Sequence, residues 1–104
     1  MRERGHERGG SDRKGRAHRG SRRLQALAAD LDKRGFGVRV LMMSGTWRLR
    51  VENQSVPQLS EAVYAAPAED GSWWLWWSWA DRLAPIEDVD TAAFKIAYVL
   101  TPDA

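Results

Sequence analysis

The sequence contains no cysteine and only two histidines, His6 and His18, both near its amino terminus. Without cysteine there is no disulfide, no thiolate nucleophile and no Cys-ligated metal, and nothing argues for an oxidising compartment. With both histidines so far forward, the rest of the chain cannot assemble a Ser-His-Asp or Cys-His arrangement, nor a His-ligated zinc site. No apolar run approaches the roughly 20 residues that cross a bilayer as a helix. A phosphate-cradling glycine loop is also missing. Gly35-Phe36-Gly37 follows a helical pattern and precedes an alternating one, the reverse of the order a dinucleotide site needs, and reads as a helix stop before a strand start. Glu87-Asp88-Val89-Asp90 lacks the ligand count and spacing of a calcium loop and reads as helix capping on a solvated face. Together these absences predict no enzyme, no metal and no cofactor.

What is present divides by charge. Residues 1–23 hold nine basic against three acidic side chains and five glycines, with no valine, isoleucine, leucine or aromatic residue. Such a segment cannot bury enough apolar surface to offset its ordering entropy, so residues 1–20 are expected to be a disordered basic tail. Residues 24–104 hold seven basic against eleven acidic side chains, and residues 21–104 are expected to form one domain. Ser21-Arg22-Arg23-Leu24 resembles the start of a twin-arginine export signal, but Asp30, Asp32, Lys33 and Arg34 interrupt the apolar stretch that must follow. It reads instead as a helix start in a cytoplasmic protein.

From Ser21, a plausible N-cap, Leu24, Leu27, Ala28 and Leu31 recur at helical spacing, and Gly35 supplies the stop. Phe36 to Met43 and Thr46 to Glu52 alternate at period two around Ser44-Gly45, which predicts a hairpin. Its buried face carries Val38, Val40, Trp47, Leu49 and Val51, and its other face Arg39, Arg48 and Arg50. A third strand spans Ser60 to Ala66, and Asp70-Gly71 turns the chain into a fourth, Trp73 to Trp79. Asp81-Arg82 reads first as a local ion pair fixing the turn beyond it and second as a functional pair exposed after the tryptophans, and Pro85 stops any helix begun near Ser78. Glu87, Asp88 and Asp90 then precede a helical stripe of Ala92, Ala93, Ile96, Ala97 and Leu100. The expected fold is α+β: a two-layer domain with a four-stranded antiparallel sheet and both helices on one face, in the order α-β-β-β-β-α.

The stretches LDKRGFGVRV, LSEAVYAAPAEDGSWWLWWSWADRLAP and AAFKIAYVL resemble a family of small uncharacterised proteins common in actinobacteria. The resemblance covers roughly residues 24–101, and its most specific part is DGSWWLWWSWADRLAP. That family has no assigned activity, so the resemblance implies no catalytic residue. Its members carry an Asn-Pro pair in the loop where this chain has Asn53-Gln54. The basic tail lies outside the resemblance, as a start codon assigned too far upstream in a GC-rich gene would leave it.

Five of the six tryptophans fall within residues 73–79. Strand alternation sends Trp73, Trp77 and Trp79 to the core and Trp74 and Trp76 to the other face, beside Tyr64, Arg39, Arg48 and Arg50. Either those side chains cover one another, with cation–π attraction, or they form an exposed patch of the residue types that interfaces favour. The patch predicts a protein-interaction or regulatory accessory module that binds a protein partner or a second copy. A nucleic-acid binder, with tail arginines on phosphates and the Trp/Arg face stacking on bases, is the second expectation. An enzyme or a small-ligand receptor with an aromatic cage comes third. No membrane contact is expected.

Overall fold

The computed structural model describes residues 20–102, and the basic tail expected over residues 1–20 lies outside them but for Gly20. The chain is α+β, with an open antiparallel sheet and two helices. Helix α1 is described over residues 20–33 and is followed by β1 (Phe36–Met43), β2 (Thr46–Asn53), β3 (Ser60–Pro67), β4 (Trp73–Trp77), β5 (Arg82–Pro85) and helix α2 (Val89–Val99). The strands lie in the sheet in chain order, each hydrogen-bonded to the next. No helix among the described residues is long and apolar enough to cross a membrane.

One face of this meander and the stripes of both helices form a single core. Leu24, Leu27, Ala28 and Leu31 of α1 and Ala92, Ala93 and Ile96 of α2 cluster with Leu49, Val51, Val63, Leu75 and Trp77. The pairing Leu49↔Val63↔Trp77 shows how register assembles that face, because directly opposed residues point the same way. Val38, Val40, Trp47 and Trp73 pack against the cluster from its rim.

Three expectations need correction. The sheet has five strands, not four, because Arg82–Pro85 forms a short edge strand. A bulge opposite Leu75 and Trp76 lets consecutive Leu83 and Ala84 both turn inward, so β5 lacks the alternation by which strands are recognised. Ser21 is not the cap of α1, since the helix is already formed at residue 20 and Ser21 is buried in it. Trp79 is not a core residue. The strand ends at Trp77, and Trp79 is 50% exposed in the turn that follows, stacked on Trp77 with centroids 4.8 Å apart.

The ends of α2 and its neighbouring loop follow from local hydrogen bonding. Asp88 caps α2, its carboxylate accepting from the Thr91 N–H and hydroxyl. Asn53 organises the loop between β2 and β3. Its Oδ1 accepts from the Ser55 and Val56 amides, and its Nδ2 donates to the Leu100 carbonyl at 2.8 Å, tying the β2–β3 connection to the end of α2.

Two hairpins use the same turn. In one, the Ala68 amide donates to the Ser72 carbonyl and the Gly71 amide to the Ala68 carbonyl. In the other, the Trp77 amide donates to the Asp81 carbonyl and the Ala80 amide to the Trp77 carbonyl. This three-residue connection needs a left-handed residue at its third position. Gly71 meets that requirement at φ 87°, whereas Ala80 adopts φ 69° with a Cβ in the way. Ala80→Gly should therefore raise stability by about 0.5–1 kcal/mol, the relief of left-handed strain less the entropy that glycine adds to the unfolded chain. Urea denaturation would measure it, and a decrease would mean that the turn is held by something other than its backbone geometry.

Candidate functional site

The sheet face away from the helices is covered by no described element, and one row of cross-strand partners runs across it. Register places Arg48 opposite Tyr64, Tyr64 opposite Trp76 and Trp76 opposite Arg82. The side chains follow the register. Arg48 Cζ lies 5.9 Å from the Tyr64 ring centroid, Tyr64 and Trp76 stack at 6.3 Å with planes 10° apart, and Arg82 Cζ lies 5.8 Å from Trp76. Arg82 also sits over Trp74 at 4.6 Å. The result is a stack with a guanidinium at each end, held by cation–π attraction and parallel ring contact.

The indole N–H groups are already spoken for. Trp76 Nε1 donates to the Ala66 carbonyl at 2.9 Å, and Trp74 Nε1 donates to Ser72 Oγ at 3.0 Å. Ser72 Oγ in turn donates to Asp70 Oδ1 at 2.6 Å, and the Ser72 amide donates to the same oxygen at 3.0 Å. Hydrogen bonds from the Ser72 side chain and then its backbone hold the Asp70 carboxyl below its ordinary value, and the Arg82 charge adds to the effect. Trp74 is thus gripped from its face by Arg82 and from its edge through Ser72 to Asp70. Because its rings are stacked or capped by arginine, this is not a cage open to a ligand.

The sequence-predicted residues divide here. Trp74, Trp76, Tyr64 and Arg48 do meet in one stack, all partly buried. Arg39 and Arg50 share the face but belong to a different row, opposite each other, and Arg50 turns to Ser60 Oγ at 3.4 Å. The cation that covers the tryptophans is Arg82, which the local ion-pair reading of Asp81-Arg82 concealed. Among the described residues Asp81 accepts from Trp79 Nε1 at 2.9 Å while Arg82 crosses to the outer face, so the two serve different tryptophans. Only the bulge in β5, invisible in a four-residue strand, would have revealed Arg82 as a partner of Trp76.

Charge on this face is the opposite of the domain's average. Among the strand residues of this face Arg39, Arg48, Arg50 and Arg82 stand against Glu52, with Asp70 beside Arg82 in the adjoining turn, although residues 24–104 carry more acid than base. Arg48 Nε is buried and has no hydrogen-bond partner among the described residues. A shallow hollow of about 290 Å³ opens beside this row, lined by Gly37, Val38, Arg39, Arg50 and Glu52. A larger groove of about 690 Å³ lies on the far side of the molecule, along Arg34, Phe94, Tyr98, Val99 and Pro102. It lacks the convergent polar groups that orient a small ligand. No three histidine or carboxylate side chains among the described residues come together in a way that could hold a metal ion.

Comparison with protein-family models, curated proteins and solved structures returns no match.

Two measurements test the grip on Trp74. Arg82→Ala should raise the fraction of tryptophan emission quenched by acrylamide and lower stability by no more than about 1 kcal/mol, the scale of an exposed cation–π contact. Arg82→Lys should restore only part of the protection, since an ammonium stacks less well than a guanidinium. Unchanged quenching in Arg82→Ala would remove Arg82 from the stack. For Asp70, a carboxyl held low in the folded state contributes stability that is fully present above its unfolded value and lost only as pH falls through the lower folded one. A carbon-detected NMR titration should show that depression, and Ser72→Ala should reduce it, leaving the part due to the Ser72 amide and Arg82.

Proposed function

We propose that this chain is a cytoplasmic, non-enzymatic interaction module that holds an acidic protein partner on the outer face of its sheet. The observation that carries the proposal is the segregation of charge, four arginines against one glutamate on the strands and one aspartate, Asp70, in the adjoining turn, on the face that bears the aromatic stack. Aromatic residues and arginine are the types that dominate binding energy at interfaces. A planar guanidinium can pair with a carboxylate through two parallel hydrogen bonds while its face remains on a ring. The same charge pattern argues against a second copy docking through this face, because facing copies would bring arginine against arginine.

A nucleic-acid reading rests on the stack itself, since alternating rings and guanidinium planes suit single-stranded bases. It requires Arg82 to leave Trp74, whereas a carboxylate partner engages Arg82 where it stands. Weak, salt-sensitive, non-specific binding of nucleic acid by the basic tail is compatible with either reading.

Affinity capture with the wild-type chain and with the double charge reversal Arg48→Glu, Arg82→Glu tests the proposal. Acidic proteins retained by the wild type should be lost from the reversed variant while tryptophan emission and thermal unfolding show that the fold persists. Trp76→Ala should weaken the same interaction by tenfold or more, about 1.4 kcal/mol. Retention of the same proteins by both variants would overturn the reading. Quenching of residues 21–104 by an oligonucleotide, abolished by the charge reversal, would decide for nucleic acid.

A further inference from the structure

The two edges of the sheet are built differently. β5 has four residues, a bulge against its neighbour, a proline and an exposed arginine, all devices that discourage another strand from pairing. β1 has eight residues in unbroken register with β2, no proline, and Arg39 as its one charge. Among the described residues no strand pairs with its outer edge, which presents backbone donors and acceptors that an extended strand can match. At its end Met42 is 50% exposed and Met43 51% exposed.

We propose that β1 pairs antiparallel with β1 of a second copy, joining two meanders into one ten-stranded sheet about a twofold axis at Val40. The axis stands perpendicular to the sheet, so both copies keep their helices on one side and their arginine–aromatic stacks on the other. Residues opposite one another must share a face, which excludes every register that sets an odd-numbered residue against an even-numbered one. A dyad at Arg39 would oppose Arg39 to itself, and a dyad at Leu41 would pair only Arg39 to Met43. A dyad at Val40 pairs Gly37 through Met43, with Val40 against itself, Arg39 against Leu41, Val38 against Met42 and Gly37 against Met43.

That register places each exposed methionine. Met42 meets Val38 at the core rim, and Met43 meets Gly37, the one position in β1 without a side chain. The hollow of about 290 Å³ beside Gly37 lies on the outer face, the side on which Met43 projects. The strand thus carries both the projection and the recess, as an isologous contact requires. This pairing leaves the outer face free and is independent of what docks there.

Sedimentation equilibrium of the full chain should show a dimer at micromolar concentrations. Gly37→Lys fills the recess and Met43→Lys charges the projection, and each should raise the dissociation constant about tenfold or more. Both should leave thermal unfolding of the monomer intact, because a Cβ at Gly37 comes no closer than 3.5 Å to the Gln54 side chain and Met43 is exposed. Since the chain has no cysteine, Val40→Cys supplies a unique thiol that a short bis-maleimide should couple across the dyad, whereas Ser78→Cys, in the turn between β4 and β5, should not couple. A chain that remains monomeric at about 100 µM, a concentration far above that needed to fill a micromolar dimer, would overturn the proposal. So would a dimer indifferent to both lysine substitutions, or coupling through residue 78 as efficient as through residue 40.

Discussion

A slip of one residue between β3 and β4 would carry Leu75 and Trp77 out of the core and drive Trp74 and Trp76 into it. The fold therefore depends on the register that opposes Val63 to Trp77 and Tyr64 to Trp76. Two turns hold that register from either end of β4. The Ala68–Ser72 connection fixes where β4 begins, and its Asp70 and Ser72 side chains reach forward to the Trp74 indole. The Trp77–Asp81 connection fixes where it ends, and Trp79 folds back on Trp77 as the strand stops. Five tryptophans in seven residues are compatible with one arrangement because the turns, more than the rings, decide which side each ring takes.

The helices, the first two hairpin strands and both sheet faces were legible in the sequence, since each rests on a periodicity sustained over several residues. Leu24, Leu27, Ala28 and Leu31 are all buried, and Phe36–Met43 forms the strand that its alternation describes. The part that was not legible begins at Ser78. Alternation extends Trp77 to Trp79 without interruption, and the turn that interrupts it uses alanine where glycine would have announced it. Past that turn, adjacent Leu83 and Ala84 are both buried, which no alternating pattern describes, and Pro85 resembles a helix breaker although it ends an edge strand. One unmarked turn thus concealed both the fifth strand and the arginine that completes the stack.

That concealment bears on the site more than on the fold. Arg39, Arg48 and Arg50 were visible because β2 and its partner alternate, but cross-strand rows do not include every residue of a face. Arg48 joins the row of Tyr64 and Trp76, whereas Arg39 and Arg50 face each other one row away, a like-charge pair that an acidic group would relieve. Arg82 reaches the same row from the opposite edge. The stack therefore ends in a cation on both sides, and the tryptophans are covered by the protein's own arginines without being removed from the surface. Self-covering and docking, which look like alternatives in the sequence, are compatible here because a guanidinium can lie on a ring and still present its N–H groups outward.

The edges extend this argument to assembly. A sheet whose outer face is basic cannot easily stack face to face with itself, and its β5 edge is shortened, bulged and charged, so growth in those two directions is opposed by features already present. The β1 edge has no such feature, and its only arginine points to the same face as the stack. Pairing there about a perpendicular twofold would set the two stacks side by side on one continuous surface without placing either within the contact. Two equivalent acceptor sites on one rigid sheet would bind a partner with two acidic segments far more tightly than either site alone, provided the segments span the distance between them.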